Sequence, residues 1–254
     1  MPGKGSAVRA SLSLIAAIAG LCFAIAANAQ VPEKFTNLQY FEKTIQRDDL
    51  IQVMRGFSFS LGVRCEYCHA SKGGTSLDKM DFASDEKDAK KIARNMLRMV
   101  DSINQEYIAK LASQTQNRVA CVTCHHGLGK PKGIAPTLSE TLDTKGLPDA
   151  IAQYKDLRKQ YYGGAQYDFS ETPLNQLSEG LTRNGKTKEA VAIMEMNAEL
   201  NPPISGWGSS VLAMAYMANK DFDKAKAEFQ KMVDKNPENT WAKKQLEELS
   251  QKPH

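Results

Sequence analysis

The sequence predicts an all-α protein, with a cofactor-dependent N-terminal domain followed by a short α-helical repeat domain. Apolar residues recur at helical spacing in most segments, and no segment shows the sustained alternation of a β-strand. Positions in the C-terminal third recur at a fixed offset, which is typical of stacked helical hairpins. Two short motifs, each with a pair of cysteines, lie in the N-terminal half. These motifs indicate what the first domain binds.

Residues 1–29 predict a cleaved export signal. Lys4 and Arg9 form a positive stretch, the range 12–27 is apolar and uncharged, and Ala27-Asn28-Ala29 matches a small-x-small cleavage site. A retained N-terminal anchor is the alternative, but the apolar run is shorter than the roughly 20 residues that span a bilayer. We therefore expect a periplasmic protein, either free or peripheral at the outer face of the inner membrane.

The charge of the chain excludes some classes of partner. The net charge is +4, and loss of the two charges of Lys4 and Arg9 leaves +2. A value so close to neutral gives no reason to expect a nucleic-acid partner. Outside the predicted signal, no segment approaches membrane-spanning length, so we expect no transmembrane segment in the mature chain.

Two C-x-x-C-H motifs predict two covalently bound haem c groups. They are Cys65-Glu66-Tyr67-Cys68-His69 and Cys121-Val122-Thr123-Cys124-His125. In a c-type haem, two cysteine thiols add to the porphyrin vinyl groups and the following histidine ligates the iron. The two motifs use every cysteine outside the predicted signal, which contains Cys22. Cys65, Cys68, Cys121 and Cys124 are thus the predicted thioether positions, and His69 and His125 the predicted proximal ligands.

Two other cysteine chemistries are the alternatives. A thioredoxin-like redox pair needs a βαβ context, which the sequence around either motif lacks. A structural zinc site needs four thiolates from segments that are far apart in the chain, and it leaves both following histidines without a role. Haem attachment is the interpretation that uses all of these residues.

The number of histidines restricts the sixth iron ligands. The chain has four histidines, of which His69 and His125 are already used. His126 adjoins His125 and cannot easily reach the far face of the same haem, and His254 is the last residue of the sequence. Bis-histidine ligation of both haems is therefore not expected within one chain, which leaves methionine or an open position.

Several methionines lie on predicted helices near the motifs. Met54 falls in a segment with helical periodicity over 38–61, and Met96 and Met99 fall in a second helix that we expect to begin at Ser84. Met80, in a polar loop, is a weaker candidate. Each of these methionines has core packing as its alternative role, whereas thioether ligation would favour electron transfer over catalysis.

The residues around both motifs resemble the cytochrome c subunit family of photosynthetic reaction centres. The similar segments are Met54 to Phe57 with Leu61 to His69, and Ala93-Arg94-Asn95-Met96 with Ile103-Asn104 and the range 121–127. The resemblance covers roughly 36–135. In this family a helical methionine before the haem segment ligates most of the haems, so the resemblance implies Met54 for the first haem and Met96, with Met99 as the alternative, for the second.

The resemblance also implies a function. Members of this family donate electrons to the photo-oxidised pigment pair from the periplasmic side, and the better-known members bind four haems, whereas this chain has two C-x-x-C-H motifs. We expect a periplasmic di-haem electron carrier whose redox partners are proteins, such as a membrane-bound reaction centre or respiratory complex. A di-haem enzyme such as a peroxidase, with one open iron, is the alternative from another class.

The rest of the chain predicts a linker and a repeat domain. After a di-haem cytochrome c domain over 30–135, we expect a linker and a helix over 136–170, with a Pro/Gly-rich connector over 129–148 and the helix over 149–162. Over 171–254 we expect tetratricopeptide-like repeats with a capping helix and a surface for protein docking. Six positions recur there at an offset of thirty-five residues: Leu177, Ser178, Leu181, Ala190, Met194 and Pro202 as Leu212, Ala213, Tyr216, Ala225, Phe229 and Pro237.

Overall fold

The protein is all-α, as the sequence predicts. The structure is a computed structural model that describes residues 31–32, 34–111 and 118–251, so the predicted signal segment and His254 lie outside the described residues. Its regular elements are eleven α-helices, a few short 3₁₀ and π segments and one small β-hairpin, counted over the described residues. Within the same ranges, none of the helices combines the length and apolar character needed to cross a membrane.

The chain divides into two compact units. The first contains the described parts of Met1–Ser58 and Arg64–Val119, and the second contains Phe59–Val63 and the described part of Ala120–His254. Each unit therefore holds one C-x-x-C-H motif. The boundaries proposed from the sequence at 135 and 170 remain predictions.

The first unit is built from short elements around its motif. Its elements, in chain order, are α1 (Arg47–Leu61, whose last three residues belong to the second unit), α2 (Cys65–Cys68), β1 (Ala70–Ser71), a 3₁₀ turn (Leu77–Lys79), β2 (Met80–Asp81), α3 (Asp88–Ser102), a π-helical turn (Ile103–Tyr107) and a 3₁₀ turn (Ile108–Lys110). Strands β1 and β2 are antiparallel, and α2 packs against α3.

The two helices predicted for this unit are shorter than expected. Helix α1 begins at Arg47 and not near residue 38, because Asn37 and Gln39 use their side chains to bond the loop at Ala83 and Asp85. Helix α3 begins at Asp88, since Ser84 accepts a hydrogen bond from the Glu86 amide at 3.2 Å and closes a local turn instead of capping a helix.

The second unit contains the remaining helices. They are α4 (Cys121–His125), α5 (Ile134–Thr144), α6 (Leu147–Tyr161), α7 (Thr172–Arg183), α8 (Thr187–Leu200), α9 (Gly206–Ala218), α10 (Phe222–Lys235) and α11 (Thr240–Ser250). Consecutive helices from α7 to α11 pack against one another, and α5 packs on both α6 and α7.

Helix α5 corrects the sequence prediction, which placed an irregular connector over 129–148. Ile134, Leu138 and Leu142 recur every four residues and are all buried, so they form one apolar stripe against the neighbouring helices. The polar Thr and Ser residues between them hid this periodicity. The predicted helix over 149–162 is present with nearly the same bounds, as α6.

The hydrophobic core of the second unit lies between these helices. Its buried members extend from Ile134 to Leu249, with Tyr154 and Phe229 among the largest fully buried side chains. The ten recurring positions other than the prolines are all buried. Ser178 donates to the Ala190 carbonyl at 3.1 Å, which shows how a small residue lets α7 and α8 approach closely. The hairpins are thus repeated helical units, and their tetratricopeptide character stays a prediction.

One buried and one exposed methionine, each within a helix of the second unit, test this core. Met194 is fully buried in α8 and Met214 is 42% exposed in α9. We expect Met194→Ala to lower the free energy of unfolding by about 2–5 kcal/mol, because it removes packed atoms and leaves a cavity. Met214→Ala, the matched control, should change it by less than about 1 kcal/mol. Urea unfolding followed by tryptophan fluorescence reports on this unit, since both tryptophans lie in it. Equal effects of the two variants would contradict the placement of Met194 in the buried core.

Candidate functional site

The first motif forms one helical turn, α2, with its histidine directly after it. The His69 amide donates to the Cys65 carbonyl at 2.9 Å, so the backbone turns from the first cysteine to the imidazole within a single hydrogen-bonded loop. The side chain of Lys87, just before α3, donates to the Glu66 carbonyl. Cys65 and Cys68 are free, half-buried thiols, and burial is the main cause that raises the pKa of Cys68.

The His69 imidazole is held in a half-buried environment that favours its neutral form. Phe82 packs against the ring edge-on, with 5.0 Å between the ring centroids. Burial lowers the pKa of His69 to about 4, and the positive charges of Lys90 and Arg94 lower it further, while the nearby Phe82 backbone acts in the opposite direction. Nδ1 of His69 is buried and makes no well-formed hydrogen bond within the described residues. A neutral imidazole is the form that ligates a metal.

A charged network supports the segment around His69. Asp85 forms an ion pair with Arg94 at 2.8 Å and with Lys90 at 3.3 Å, and it accepts a hydrogen bond from Gln39 at 2.8 Å. A hydrogen bond from Asn37 is the largest cause that lowers the pKa of Asp85, followed by Arg94 and Lys90. The Arg94 residue is only 9% exposed, so its charge is compensated by Asp85 within the fold.

The second motif has a similar local structure, a short helix that carries both cysteines. It forms α4, and the Thr123 hydroxyl accepts from the Ala120 amide at 3.0 Å to fix the first turn. Nδ1 of His125 lies 2.7 Å from the Leu128 carbonyl oxygen. A carbonyl only accepts, so Nδ1 carries the proton and Nε2 has a free lone pair. This is the arrangement that orients a metal-ligating histidine in proteins.

Asn104 anchors the chain just before the second motif. Its side-chain amide donates to the Val119 carbonyl and accepts from the Val119 amide, both at 2.8 Å. Asn104 is 6% exposed and lies in the π-helical turn after α3. The paired bonds satisfy both backbone groups of Val119, which stands two residues before Cys121.

The candidate sixth ligands differ in position. Met54 lies on α1, is half-buried and belongs to the same unit as the first motif, whereas Met96 and Met99 lie on α3 and are 39% and 47% exposed. Met80 is buried in β2, where it pairs with Ser71. Met96 and the second motif belong to different units.

The residues present fit covalent haem at both motifs. Each motif offers two free thiols on one helical turn and an imidazole directly after it, and the tautomer of His125 leaves Nε2 available. The zinc alternative requires the cysteines to converge. Among the described residues, no three His, Cys, Asp or Glu side chains come together in a group that could hold a metal ion.

Comparison with known proteins gives an independent result. Residues 76–189 match the model of the family described as photosynthetic reaction centre cytochrome C subunit. The matched range contains the second motif and starts after the first. Cytochrome c-554 of Chloroflexus aurantiacus is 45% identical over 69 residues, which is 27% of this chain and 15% of the relative. The chain thus spans a small part of that relative, and no solved structure matches it.

The two C-x-x-C-H motifs are of the kind found in c-type cytochromes, and similarity to this family and to cytochrome c-554 implies covalently bound haem c. The predicted resemblance to the photosynthetic reaction-centre cytochrome c subunit family is confirmed, through the match over residues 76–189 and the similarity to cytochrome c-554.

Sequence reasoning missed several residues that organise the site. Phe82 packs against the His69 ring, and the charge of Lys90, which pairs with Asp85, lowers the pKa of His69. These contacts are tertiary, and no local pattern predicts them. Arg94 was noted only as part of a motif, and its buried ion pair with Asp85 depends on the loop before α3. Asn104 was noted likewise, and its partner lies fifteen residues further along the chain.

The Asn104 anchor can be tested by hydrogen exchange. Replacing Asn104 by Leu leaves both backbone groups of Val119 without their partner, so we expect the free energy of local opening there to fall by about 1–3 kcal/mol. Deuterium uptake at Val119 should accelerate accordingly. Asn95→Leu is the matched control, because Asn95 is exposed on α3 and bonds only the exposed Arg98 side chain in the described contacts. Unchanged uptake in Asn104→Leu would show that the anchor is not needed.

Proposed function

We propose that the protein is a periplasmic di-haem c-type cytochrome that passes single electrons between protein redox partners. The observation that carries this proposal is the duplicated C-x-x-C-H turn, with Nε2 of His125 available for a metal. The family match supports a cytochrome electron carrier. When bound, each haem iron would take up one electron on going from the ferric to the ferrous state and release it to the next acceptor.

In this proposal each predicted site residue has a defined role. Cys65, Cys68, Cys121 and Cys124 hold the two haems by thioether bonds, and His69 and His125 ligate the irons. Met54 and Met96 are the sixth ligands, with Met99 as the alternative to Met96. Met96 is 39% exposed on α3, so its side chain is not enclosed in a core and is available to ligate an iron. Methionine ligation raises the reduction potential and closes the iron to exchangeable ligands, which suits a carrier.

The partners follow from the same proposal. A redox protein in a membrane complex, such as a reaction centre or respiratory complex, would exchange electrons with the haem segments. The helical hairpins over α7 to α11 would provide the docking surface, as tetratricopeptide-like repeats do. Cleavage of the export signal would place the protein in the periplasm, where haem c is attached.

Carbon monoxide binding separates a carrier from an enzyme with an open iron. We expect the reduced wild-type protein, matured with its haems, to bind no carbon monoxide, because both irons are six-coordinate. Met54→Ala and Met96→Ala should each open one iron, so that about half of the haem binds carbon monoxide. Met99→Ala, on the same helix, should behave as wild type; carbon monoxide binding in Met99→Ala and not in Met96→Ala would assign the ligand to Met99 instead. Stoichiometric binding at one haem of the wild-type protein would instead support the di-haem enzyme.

A further inference from the structure

The two predicted proximal histidines differ in what lies beside Nδ1. At the second motif, Nδ1 of His125 lies 2.7 Å from the Leu128 carbonyl oxygen. At the first motif, Nδ1 of His69 is buried and makes no well-formed hydrogen bond within the described residues. A histidine that ligates a metal usually donates this second ring N–H to an acceptor, which raises the basicity of the ligand. In the described part of the chain, the first motif lacks an interaction that the second motif has.

Lys90 binds the backbone acceptor that lies beside His69. The Phe82 ring packs edge-on against the His69 ring, and the Phe82 backbone is near enough to act on the pKa of His69. The Phe82 carbonyl, however, accepts a hydrogen bond from Nζ of Lys90 at 2.8 Å. Hydrogen bonds from a charged donor are roughly twice as strong as neutral ones. This carbonyl is therefore bound more strongly to Lys90 than it could be to a neutral imidazole.

The Lys90 ammonium group is fixed in place and poorly solvated. Its side chain is 11% exposed, and Nζ also donates to the Ser84 carbonyl at 2.8 Å and pairs with Asp85 at 3.3 Å. The similarly buried Arg94, one helical turn further along α3, pairs with the same carboxylate. Two positive charges thus share one negative charge in this cluster. Coulomb interactions are stronger in such surroundings than in water.

The positive charge of this cluster acts on the His69 imidazole. Burial is the main cause that lowers the pKa of His69, the charge of Lys90 is the next, and the charge of Arg94 adds to it. Asp81 acts in the opposite direction, with a smaller effect than either cation. Lys90 and Arg94 therefore outweigh Asp81 at the imidazole, and Lys90 contributes more than Arg94.

We propose that Lys90 is a positioning residue that acts through His69 and raises the reduction potential of the haem at the first motif above that of the haem at the second. This inference rests on the proposed di-haem function. A less basic proximal histidine and a nearby positive charge both favour the ferrous state, which carries one positive charge fewer than the ferric state. A more basic histidine, such as His125 with its Leu128 acceptor, favours the ferric state. Because methionine is the proposed sixth ligand at both irons, the difference comes from the surroundings of the two histidines.

A redox titration of the protein with both haems, followed by the visible absorbance of the haem, tests the role of Lys90. In wild type we expect two resolved one-electron steps. Lys90→Met removes the charge and frees the Phe82 carbonyl, so the more positive of the two potentials should fall while the other stays. The expected change in the ferric-to-ferrous ratio is about tenfold, which is about 59 mV for one electron. A single step in wild type, no change in Lys90→Met, or a fall of only the less positive potential would overturn the proposal.

Two lysine variants are matched controls. Lys91 is the next residue on α3, is exposed and pairs with Asp88 at the surface, so Lys91→Met should leave both potentials at their wild-type values. Lys90→Arg keeps a positive charge and donors for the Phe82 carbonyl, so it should stay close to wild type. A fall in either control as large as that in Lys90→Met would contradict the assignment to the charge of Lys90.

The haem content separates this inference from the function on which it rests. Intact mass establishes how many haems each variant carries, and fewer than two in wild type would overturn the di-haem function itself. With two haems attached and no response to Lys90→Met, the function stands and the role of Lys90 is wrong. Should Lys90→Met not accumulate, Lys90→Gln replaces it, because it keeps an amide donor for the Phe82 carbonyl and removes the charge. We then expect a smaller fall of the more positive potential, and an unchanged value would overturn the role of Lys90.

Discussion

The candidate site depends on one local constraint, a helical turn that carries two thiols and is followed at once by an imidazole. At both motifs the turn is closed by backbone hydrogen bonds, from His69 to Cys65 and from His126 to Val122. The histidine that follows is then oriented by its surroundings, through Phe82 at the first motif and the Leu128 carbonyl at the second. Burial lowers the pKa of His69 to about 4 and so favours the neutral imidazole, which is the state that iron ligation requires. The rest of the site serves to position these two turns.

The two units are stabilised in different ways. Among the described residues of the first unit, the buried side chains other than the polar Arg94 and Asn104 are Leu50, Ala70 and Met80. The apolar cluster of the second unit extends over α5 to α11. Burial of apolar area is the main stabilising contribution to a fold. The first unit instead has a polar network at Asp85, whose ion pairs contribute little net stability on their own. A covalently attached porphyrin would supply apolar contacts that its own side chains do not.

Much of the fold and of the candidate site could be predicted from the sequence, because the sequence patterns that indicate them are local. The C-x-x-C-H motifs, the helical periodicity and the recurrence of residues such as Met194 and Phe229 depend on neighbours within a few turns of chain. The features that escaped prediction depend on long-range contacts. Helix α5 is hidden because Thr and Ser separate its apolar residues, and Ser84 closes a turn because the loop around Asp85 recruits Asn37 and Gln39. The hydrogen bond from the Gly127 amide to the Ser60 carbonyl joins segments more than sixty residues apart, and only the folded chain shows it.

The haem content of the mature protein tests the central claim most directly. A pyridine haemochrome spectrum of protein matured in a host that attaches c-type haem, combined with its intact mass, gives the number of covalently bound haems per chain. The account predicts a haem c spectrum and the mass of two haems, with one haem lost when Cys65 and Cys68 are both replaced by Ser. A wild-type protein without the haem c band, or with free thiols at all four motif cysteines, would contradict it.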